Sequence, residues 1–298
     1  MPPCLRGSSL VIVLATLLIA ALCAPAQAAI AVTDDAGNEL VLEAPAERVV
    51  ALAPHAVEAL FHVGAGGTLV GVSTYSDWPP EARDIPRVGS DRRIDFEAVL
   101  ALRPDVVVVW QSGNGPRTAE KLRALGLKVY VTEPRTLEDI AATLERLGRL
   151  TGREQRAVES ARAFRDQLAS LVERYSDRSE VSVFYQIWHQ PLMTVNGEHL
   201  ISEVIRLCGG RNIFSDLRSL APTVDVESVL AARPQVIIVS GADAGRPAVM
   251  DDWRRWPRLP AVAENQLYFI PPDIIQRHSP RILEGARVLC EQLEQARS

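Results

Sequence analysis

The chain contains an internal repeat, and this repeat constrains its fold more than any other feature. Residues 94–109 read IDFEAVLALRPDVVVV, and residues 224–239 read VDVESVLAARPQVIIV. Each copy places an Asp where it can cap a short helix, ends that helix at an Arg-Pro turn, and continues into a β-branched run typical of a buried strand. Two copies are too few for a solenoid, so they predict two related lobes.

Strand and helix patterns alternate around each copy. Four short apolar runs in the first half have the character of buried strands: 48–52, 69–72, 106–110 and 129–131. The second half restarts with a strand pattern at 181–184 and closes with a helical pattern at 281–296. This βαβ order predicts parallel sheets with helices on their faces, and thus two Rossmann-like α/β lobes.

A long helical segment separates the two halves. Residues 153–175 contain no Gly, no Pro and no strand pattern, and their apolar residues recur every three or four positions. A helix of this length extends about 35 Å. It fits a rigid connector better than an ordinary crossover helix. The predicted organisation is a signal peptide at 1–28, an N-terminal lobe at 29–151, a connecting helix at 152–178 and a C-terminal lobe at 179–298, with a ligand cleft between the lobes.

The first residues have the pattern of a secretory signal peptide. Arg6 precedes a short apolar run, and Ala26-Gln27-Ala28 provides an A-x-A cleavage site. A membrane anchor is the alternative, but the run is short for a span of about 20 residues. A lipid-modified Cys23 is a second alternative, although Leu22 is larger than lipoprotein sites prefer. We therefore expect an exported periplasmic protein.

The cysteines agree with export. Cys4 and Cys23 belong to the predicted signal peptide, which leaves Cys208 and Cys290 in the mature chain. An even pair in an oxidising compartment predicts a disulfide bond. Two buried free thiols are the alternative.

Composition and motifs favour a binding protein over an enzyme. Of the 298 residues, 47% are hydrophobic and 23% are charged, which is typical of a globular protein. The net charge of −5 disfavours a nucleic-acid partner. The sequence has no phosphate loop, nucleophile elbow or zinc-protease motif, and its five histidines lack metal-ligand spacing. We therefore predict no catalytic residue, no catalytic cofactor and no metal, with a metal-handling cluster of cleft histidines as the alternative.

Four segments carry a resemblance to a known family: residues 71–80 (GVSTYSDWPP), residues 106–114, residues 208–214 (CGGRNIF) and residues 277–281 (RHSPR). Together with the repeated D-x-E helix, they make the chain resemble helix-bridged periplasmic substrate-binding proteins of ABC importers. Within this class, the chain is most similar to the cobalamin-binding members. The resemblance covers residues 30–298 and implies a cobalamin or related corrinoid ligand and a monomeric protein. It also fits a disulfide between Cys208 and Cys290.

The resemblance gives the repeat a functional meaning. In this class each lobe presents one glutamate to a subunit of the permease dimer in the inner membrane, and the matching residues here are Glu97 and Glu227. A two-fold permease needs a two-fold docking surface, which duplicated lobes supply. The alternative is structural, because a Glu in the first turn also stabilises the helix dipole.

The ligand-binding residues are expected in loops that follow the carboxyl ends of strands. A corrin ring is large, flat and fringed with amides, so it favours aromatic walls and a few polar anchors. The candidates are Tyr75, Asp77, Trp78, Trp110, Trp188, Asp273 and Arg277.

This chain departs from the cobalamin-binding pattern at several cleft positions. Asp91, Met193 and Ala221 stand where further aromatics are expected, and Gln276 replaces an acid. Two alternative ligands follow from these departures. Haem would need an axial ligand, for which the candidates are Tyr75, His55, His189 and His278. An iron-siderophore would need cleft arginines, for which the candidates are Arg92, Arg93 and Arg277.

Overall fold

A computed structural model describes residues 29–90, 93–241 and 246–298. It contains two four-stranded parallel sheets, each covered by helices and joined through one long helix. The predicted fold class is therefore confirmed. The predicted signal peptide, Asp91 and Arg92 lie outside the described residues.

The N-terminal lobe begins with an antiparallel hairpin of β1 (Ile30–Thr33) and β2 (Glu39–Leu42). Its parallel sheet has the order β4-β3-β5-β6. The strands of that sheet are β3 (Val49–Ala51), β4 (Leu69–Val72), β5 (Val106–Trp110) and β6 (Val129–Thr132). The helices of this lobe are α1 (Pro54–His62), α2 (Phe96–Ala101), α3 (Gln111–Asn114), α4 (Pro116–Ala124) and α5 (Leu137–Leu150).

The C-terminal lobe repeats this arrangement with the order β10-β9-β7-β8. Its strands are β7 (Val181–Gln186), β8 (Gly210–Asn212), β9 (Val236–Val239) and β10 (Leu267–Phe269). Its helices are α7 (Leu200–Leu207), α8 (Val226–Ala232), α9 (Arg246–Arg254), α10 (Pro260–Ala263), α11 (Pro272–Ile275) and α12 (Ile282–Arg297), with α6 (Glu154–Tyr175) lying between the two lobes.

The two copies of the repeat form equivalent structures. Asp95 caps α2 by accepting a hydrogen bond from the backbone N–H of Ala98, and Asp225 caps α8 by accepting one from Ser228. The apolar runs that follow become β5 and β9, which are central in their sheets. Their valines and isoleucines are buried on both faces, as expected for strands covered by helices on both sides.

One apolar core runs through both lobes. It joins residues of α1 and α5 in the first lobe to residues of α7 and α12 in the second, with the buried face of α6 between them. The 22 residues of α6 extend about 33 Å, and Ala157, Ala161 and Phe164 lie on its buried face. Because the connector is packed along much of its length, it acts as part of the core. No helix among the described residues is both long enough and apolar enough to cross a membrane.

The predicted disulfide is present. Cys208, at the end of α7, bonds to Cys290 in α12, across a sequence separation of 82 residues. Both cysteines are fully buried, so the bond fastens the last helix to the body of the C-terminal lobe.

Candidate functional site

The lobes meet through segments that follow the carboxyl ends of their strands. In the N-terminal lobe these segments are α1 after β3, the loop after β4 and the loop after β6. In the C-terminal lobe they are α7, which follows β7, and residues 271–281, which follow β10. Hydrogen bonds cross between these two groups. The candidate site therefore lies where parallel α/β sheets usually bind ligands.

Helix α1 presents polar side chains towards the other lobe. Its first turn begins with Pro54, whose fixed φ suits this position. His55 and Glu58 are separated by three residues and so share one face of the helix. Both side chains are buried, and the residues of α1 next to them are apolar. A buried carboxylate at this position requires partners from elsewhere in the chain.

Arg277 is the main partner of Glu58. Its Nη1 donates to Glu58 Oε1 at 2.7 Å, and its Nη2 lies 2.8 Å from Asp77 Oδ1 and 2.7 Å from Asp273 Oδ1. The Arg277 side chain is 12% exposed and that of Glu58 is 3% exposed. This one guanidinium thus joins α1, the loop after β4 and α11.

Two further groups complete the environment of Glu58. Ser279 Oγ donates to Oε2, and Arg281 Nη1 lies 3.3 Å from Oε1. Burial raises the pKa of Glu58 from its ordinary value, and the bonds from Ser279 and Arg277 oppose that rise. Burial tends to lower the pKa of Arg277, but its hydrogen bond and charge interaction with Glu58 outweigh burial and raise it. Arg277 is therefore charged at every physiological pH.

A second contact between the lobes mirrors the first. Glu203 on α7 accepts a 2.7 Å hydrogen bond from the backbone N–H of Leu137, the first residue of α5. Glu58 and Glu203 occupy matching places in the two halves of the sequence. Each lobe therefore inserts the glutamate of its first large helix into the other lobe. Burial raises the pKa of Glu203, against the lowering effect of the Leu137 bond.

Three of the predicted ligand-binding aromatics are exposed: Tyr75 and Trp78 in the N-terminal lobe and Trp188 in the C-terminal lobe. Tyr75 is 74% exposed and lies in the loop after β4. Its φ is +66°, in the left-handed region that non-glycine residues rarely occupy. Trp188 is 37% exposed and follows β7; its indole N–H donates to the carbonyl of Gln190 at 3.0 Å. Exposed aromatics with fixed backbone or side-chain geometry are suited to contact a flat ligand.

Trp110 and Trp78 have different surroundings. Trp110 ends β5 and is half-buried, and its ring contacts His55 at 5.2 Å and His278 at 5.7 Å between centroids. The guanidinium of Arg281 lies 4.4 Å from the centre of the Trp78 ring, a cation–π contact. Trp78 therefore lies beside the network of Glu58 and Arg277, while Asp77, Asp273 and Arg277 belong to that network directly. The ligand-binding role of all seven candidates stays a prediction.

The two docking candidates have equivalent positions. Glu97 and Glu227 are exposed in the first turns of α2 and α8, each two residues after its capping Asp. Because both helices run antiparallel to the strands that follow them, both glutamates lie at the carboxyl edge of their own sheet. The docking role stays a prediction.

The histidines do not form a metal site in the structure described. Within residues 29–90, 93–241 and 246–298, no group of three or more His, Cys, Asp or Glu side chains could hold a metal ion. His55 and His278 are buried among aromatic rings instead.

Sequence reasoning missed Glu58, Ser279 and Glu203. A signal was available for the two glutamates, since each stands among apolar residues in a helix and the two match in the internal alignment. Nothing in the sequence indicates their partners, because Arg277 lies 219 residues from Glu58.

The two lobes are alike, they meet at the carboxyl edges of their sheets around one polar network, and each presents an exposed aromatic side chain. This arrangement defines a two-lobed solute-binding protein. The family comparison agrees: the model of the periplasmic binding protein family matches residues 49–274, and the chain belongs to this family.

Individual relatives extend over both lobes. The vitamin B12-binding protein of Vibrio cholerae is 38% identical over 251 residues, which cover 84% of this chain and 90% of that protein. The vitamin B12-binding protein of Yersinia pestis is 37% identical over 279 residues, covering 94% and 91%. The crystal structure of the Vibrio cholerae periplasmic vitamin B12-binding protein BtuF superimposes with a TM-score of 0.80 at 37% identity, covering 85% of this chain and 99% of that one. The periplasmic heme-binding protein RhuT of Roseiflexus shares the fold, with a TM-score of 0.74 at 23% identity, and covers 85% and 99%.

Proposed function

We propose that this chain is a periplasmic carrier that captures cobalamin or a related corrinoid between its lobes and delivers it to an ABC importer in the inner membrane. The observation that carries most weight is that relatives 37–38% identical across both lobes are vitamin B12-binding proteins. Binding is the whole of the activity proposed, with no catalytic step. Residues 1–28 would direct export and then be removed.

The chemistry of the site supports a large, flat guest with a polar rim. Tyr75 and Trp188 would contact the faces of a corrin from opposite lobes. Asp273 and Arg277 would bond its amides or its nucleotide tail. Arg277 is already held by Glu58 and Asp77, so its position needs little ordering when the ligand binds.

The departures from the cobalamin-binding pattern also fit this proposal. Gln276, in place of an acid, donates to the carbonyl of Ser240 at 2.9 Å and ties together the ends of two strands. Met193 pairs with Trp188 through a backbone bridge and supports the segment that carries it. Trp188 would thus supply aromatic surface from the C-terminal lobe in place of the missing cleft aromatics.

A spectroscopic titration tests the ligand. Cyanocobalamin should bind tightly, and Tyr75→Ala and Trp188→Ala should each weaken binding by about tenfold or more. Trp256→Ala is the matched control for Trp188→Ala. Trp256 is also an exposed tryptophan of the C-terminal lobe, but it lies in the loop after α9, outside the segments that join the lobes. Haemin is titrated in parallel. Haemin binding with a shifted Soret band, in the absence of cobalamin binding, would replace the corrinoid by haem and leave the transport proposal standing.

A transport assay tests the docking glutamates separately. Replacing Glu97 and Glu227 together by Ala should impair uptake into cells or importer-containing vesicles while ligand affinity stays unchanged. Replacing Glu120 and Glu264, two exposed acids elsewhere on the lobes, should leave uptake intact. If the Glu97 and Glu227 variant loses ligand affinity, the docking role proposed for these residues is wrong.

A further inference from the structure

A cluster of three histidines lies between the lobes, beside the network of Glu58 and Arg277. The ring centroid of His278 lies 5.9 Å from that of His55 and 5.6 Å from that of His199. His55 belongs to α1 of the N-terminal lobe, whereas His199 and His278 belong to the C-terminal lobe. All three are buried, with 4%, 9% and 7% of their surfaces exposed, respectively. We call these three residues the histidine cluster.

The hydrogen bonds of the cluster suit neutral imidazoles only. Nε2 of His55 and Nδ1 of His278 are buried without a hydrogen-bond partner among the described residues. The backbone of Pro134, in the other lobe, favours the charged form of His278, but burial of the ring outweighs it. Nδ1 of His199 accepts a 3.1 Å bond from the N–H of Ile201 and caps α7. A second proton on any of these rings would find no acceptor or would break that cap.

The charged groups around the cluster do not compensate an added proton. Arg135 acts on His199 and disfavours its charged form. Glu133 is paired with Arg135 at 3.6 Å. Glu58, one turn along α1 from His55, and Arg277, next to His278 in sequence, are bonded to each other. Glu203, one turn along α7 from His199, accepts from Leu137.

Burial therefore keeps the cluster uncharged. Burial, reinforced by the neighbouring His278, lowers the pKa of His55 to about 3. Burial also lowers the pKa of His199 to about 3, with His278 and Arg135 acting in the same direction. Burial lowers the pKa of His278 to about 4, against the smaller opposing effect of the Pro134 backbone. Each value lies below the 6.5 of a solvated imidazole.

We propose that the histidine cluster is a proton-sensitive latch, which holds the lobes together while its imidazoles are neutral and lets them separate when the periplasm is acidified. The open state would hydrate the rings and accept the protons that the closed interface rejects. A group that binds protons more tightly in the open state shifts the equilibrium towards that state as pH falls. At about pH 5.5, each histidine that becomes solvated raises the open-to-closed ratio about tenfold, and three raise it up to about a thousandfold.

The carboxylates at the same interface change the open-to-closed ratio in the opposite direction when the pH falls. The pKa values of Glu58 and Glu203 are raised in the closed state, chiefly by burial. Both residues therefore bind protons more tightly when closed, and acid would favour the closed state through them. Removing the histidines should then do more than abolish acid-induced opening. It should leave the lobes at least as closed at low pH as at neutral pH.

Distances between spin labels at positions 97 and 227 test this proposal without any ligand. Both positions are exposed at the carboxyl edges of the sheets, so opening lengthens the distance between them. In the otherwise unaltered protein, the open-to-closed ratio should rise at least about tenfold between about pH 7.5 and pH 5.5. The variant H55F/H199N/H278Q keeps a ring at position 55, a helix-capping side chain at position 199 and a polar side chain at position 278, and should not open. His189→Gln, which removes a half-exposed histidine paired with Asp252, should open like the parent.

Either of two results would overturn the proposal: a distance distribution that does not change down to about pH 5, or opening of the triple variant at the same pH as the parent. If the triple variant does not fold, NMR titration of the histidine Cε1–H signals in the parent decides. The three signals should shift together with the distance change, and a shift without opening would contradict the latch. Because no ligand takes part, the outcome is independent of whether the carrier binds a corrinoid.

Discussion

Breaking the contact between Glu58 and Arg277 should destabilise the protein in an asymmetric way. In Arg277→Met, the buried carboxylate loses its main partner, whereas in Glu58→Gln the guanidinium keeps Asp77 and Asp273. The side chains of Asp77 and Asp273 are 45% and 55% exposed, so Arg277 has partners that are already solvated. The arginine substitution should therefore cost more than the glutamate substitution.

The magnitudes follow from what remains around each residue. Removing one member of a buried ion pair costs about 3–5 kcal/mol. Ser279 and Arg281 still bond Glu58 in Arg277→Met, so the expected cost is at the low end, about 3 kcal/mol. Glu58→Gln keeps the shape and loses only charge-assisted bonds, for about 1–2 kcal/mol. The double variant contains no unpaired buried carboxylate, so its free energy of unfolding should fall by only about 2–3 kcal/mol. This is less than the sum of the two single losses, and the difference is a coupling energy of about 2 kcal/mol.

Urea unfolding of the parent, both single variants and the double variant measures this coupling. Parent and variants are compared at the same neutral pH. Additive free energies of unfolding, with a coupling below about 0.5 kcal/mol, would show that the two side chains do not depend on each other as described.

Three further predictions concern single features of the fold. Replacing Cys208 and Cys290 by Ser should lower the free energy of unfolding by about 2–4 kcal/mol, because the disulfide closes a long loop; unchanged urea midpoints would contradict this. Gly66→Ala should destabilise the protein by about 1–3 kcal/mol, because a Cβ at this position would lie 2.3 Å from the Phe61 ring. Gly67→Ala is the control and should be nearly neutral, because a Cβ there would meet no atom within 4 Å. Equal melting temperatures of the two variants would refute this packing argument. Tyr75→Gly should not destabilise, and relieves about 1 kcal/mol of left-handed strain, while it weakens cyanocobalamin binding; a loss of stability would mean that Tyr75 supports the fold.

The regular elements of the two lobes were predictable because their signals are local. The helix α5 has a local start signal at Leu137, since Thr136 and Asp139 form a capping box. The valine run of β5 is long enough and sufficiently β-branched to indicate a central strand. The helical pattern at 153–175 corresponds to α6 (Glu154–Tyr175), because nothing in its sequence interrupts a helix, whereas the connecting helix bounded at 152–178 was two residues too long at its start and three at its end.

The hairpin of β1 and β2 was missed even though its turn contains Asp, Gly and Asn. Its stability depends on a distant strand: the buried Asp34 accepts hydrogen bonds from Asn38 within the turn and from the N–H of Val131 in β6. The edge of β6 is a property of the folded sheet, so the sequence of the hairpin does not reveal it.

The site was predictable by region and not by contact. The rule that ligands bind at carboxyl ends of parallel strands nominated Tyr75, Trp110, Trp188 and Arg277, and the structure places all four at or after the carboxyl ends of strands, while their ligand-binding role stays a prediction. It could not indicate that Arg277 bonds Glu58 and Asp77, which lie 219 and 200 residues away. These pairings arise from the way in which two duplicated lobes face each other, and only the folded chain brings them together.

A crystal structure of the protein grown with cyanocobalamin tests the central claim most directly. The account predicts a corrin ring in the cleft, in contact with Tyr75 of one lobe and Trp188 of the other, with Asp273 or Arg277 bonded to its polar rim. A corrinoid bound outside the cleft, or a cleft that stays empty in the presence of saturating cyanocobalamin, would contradict it.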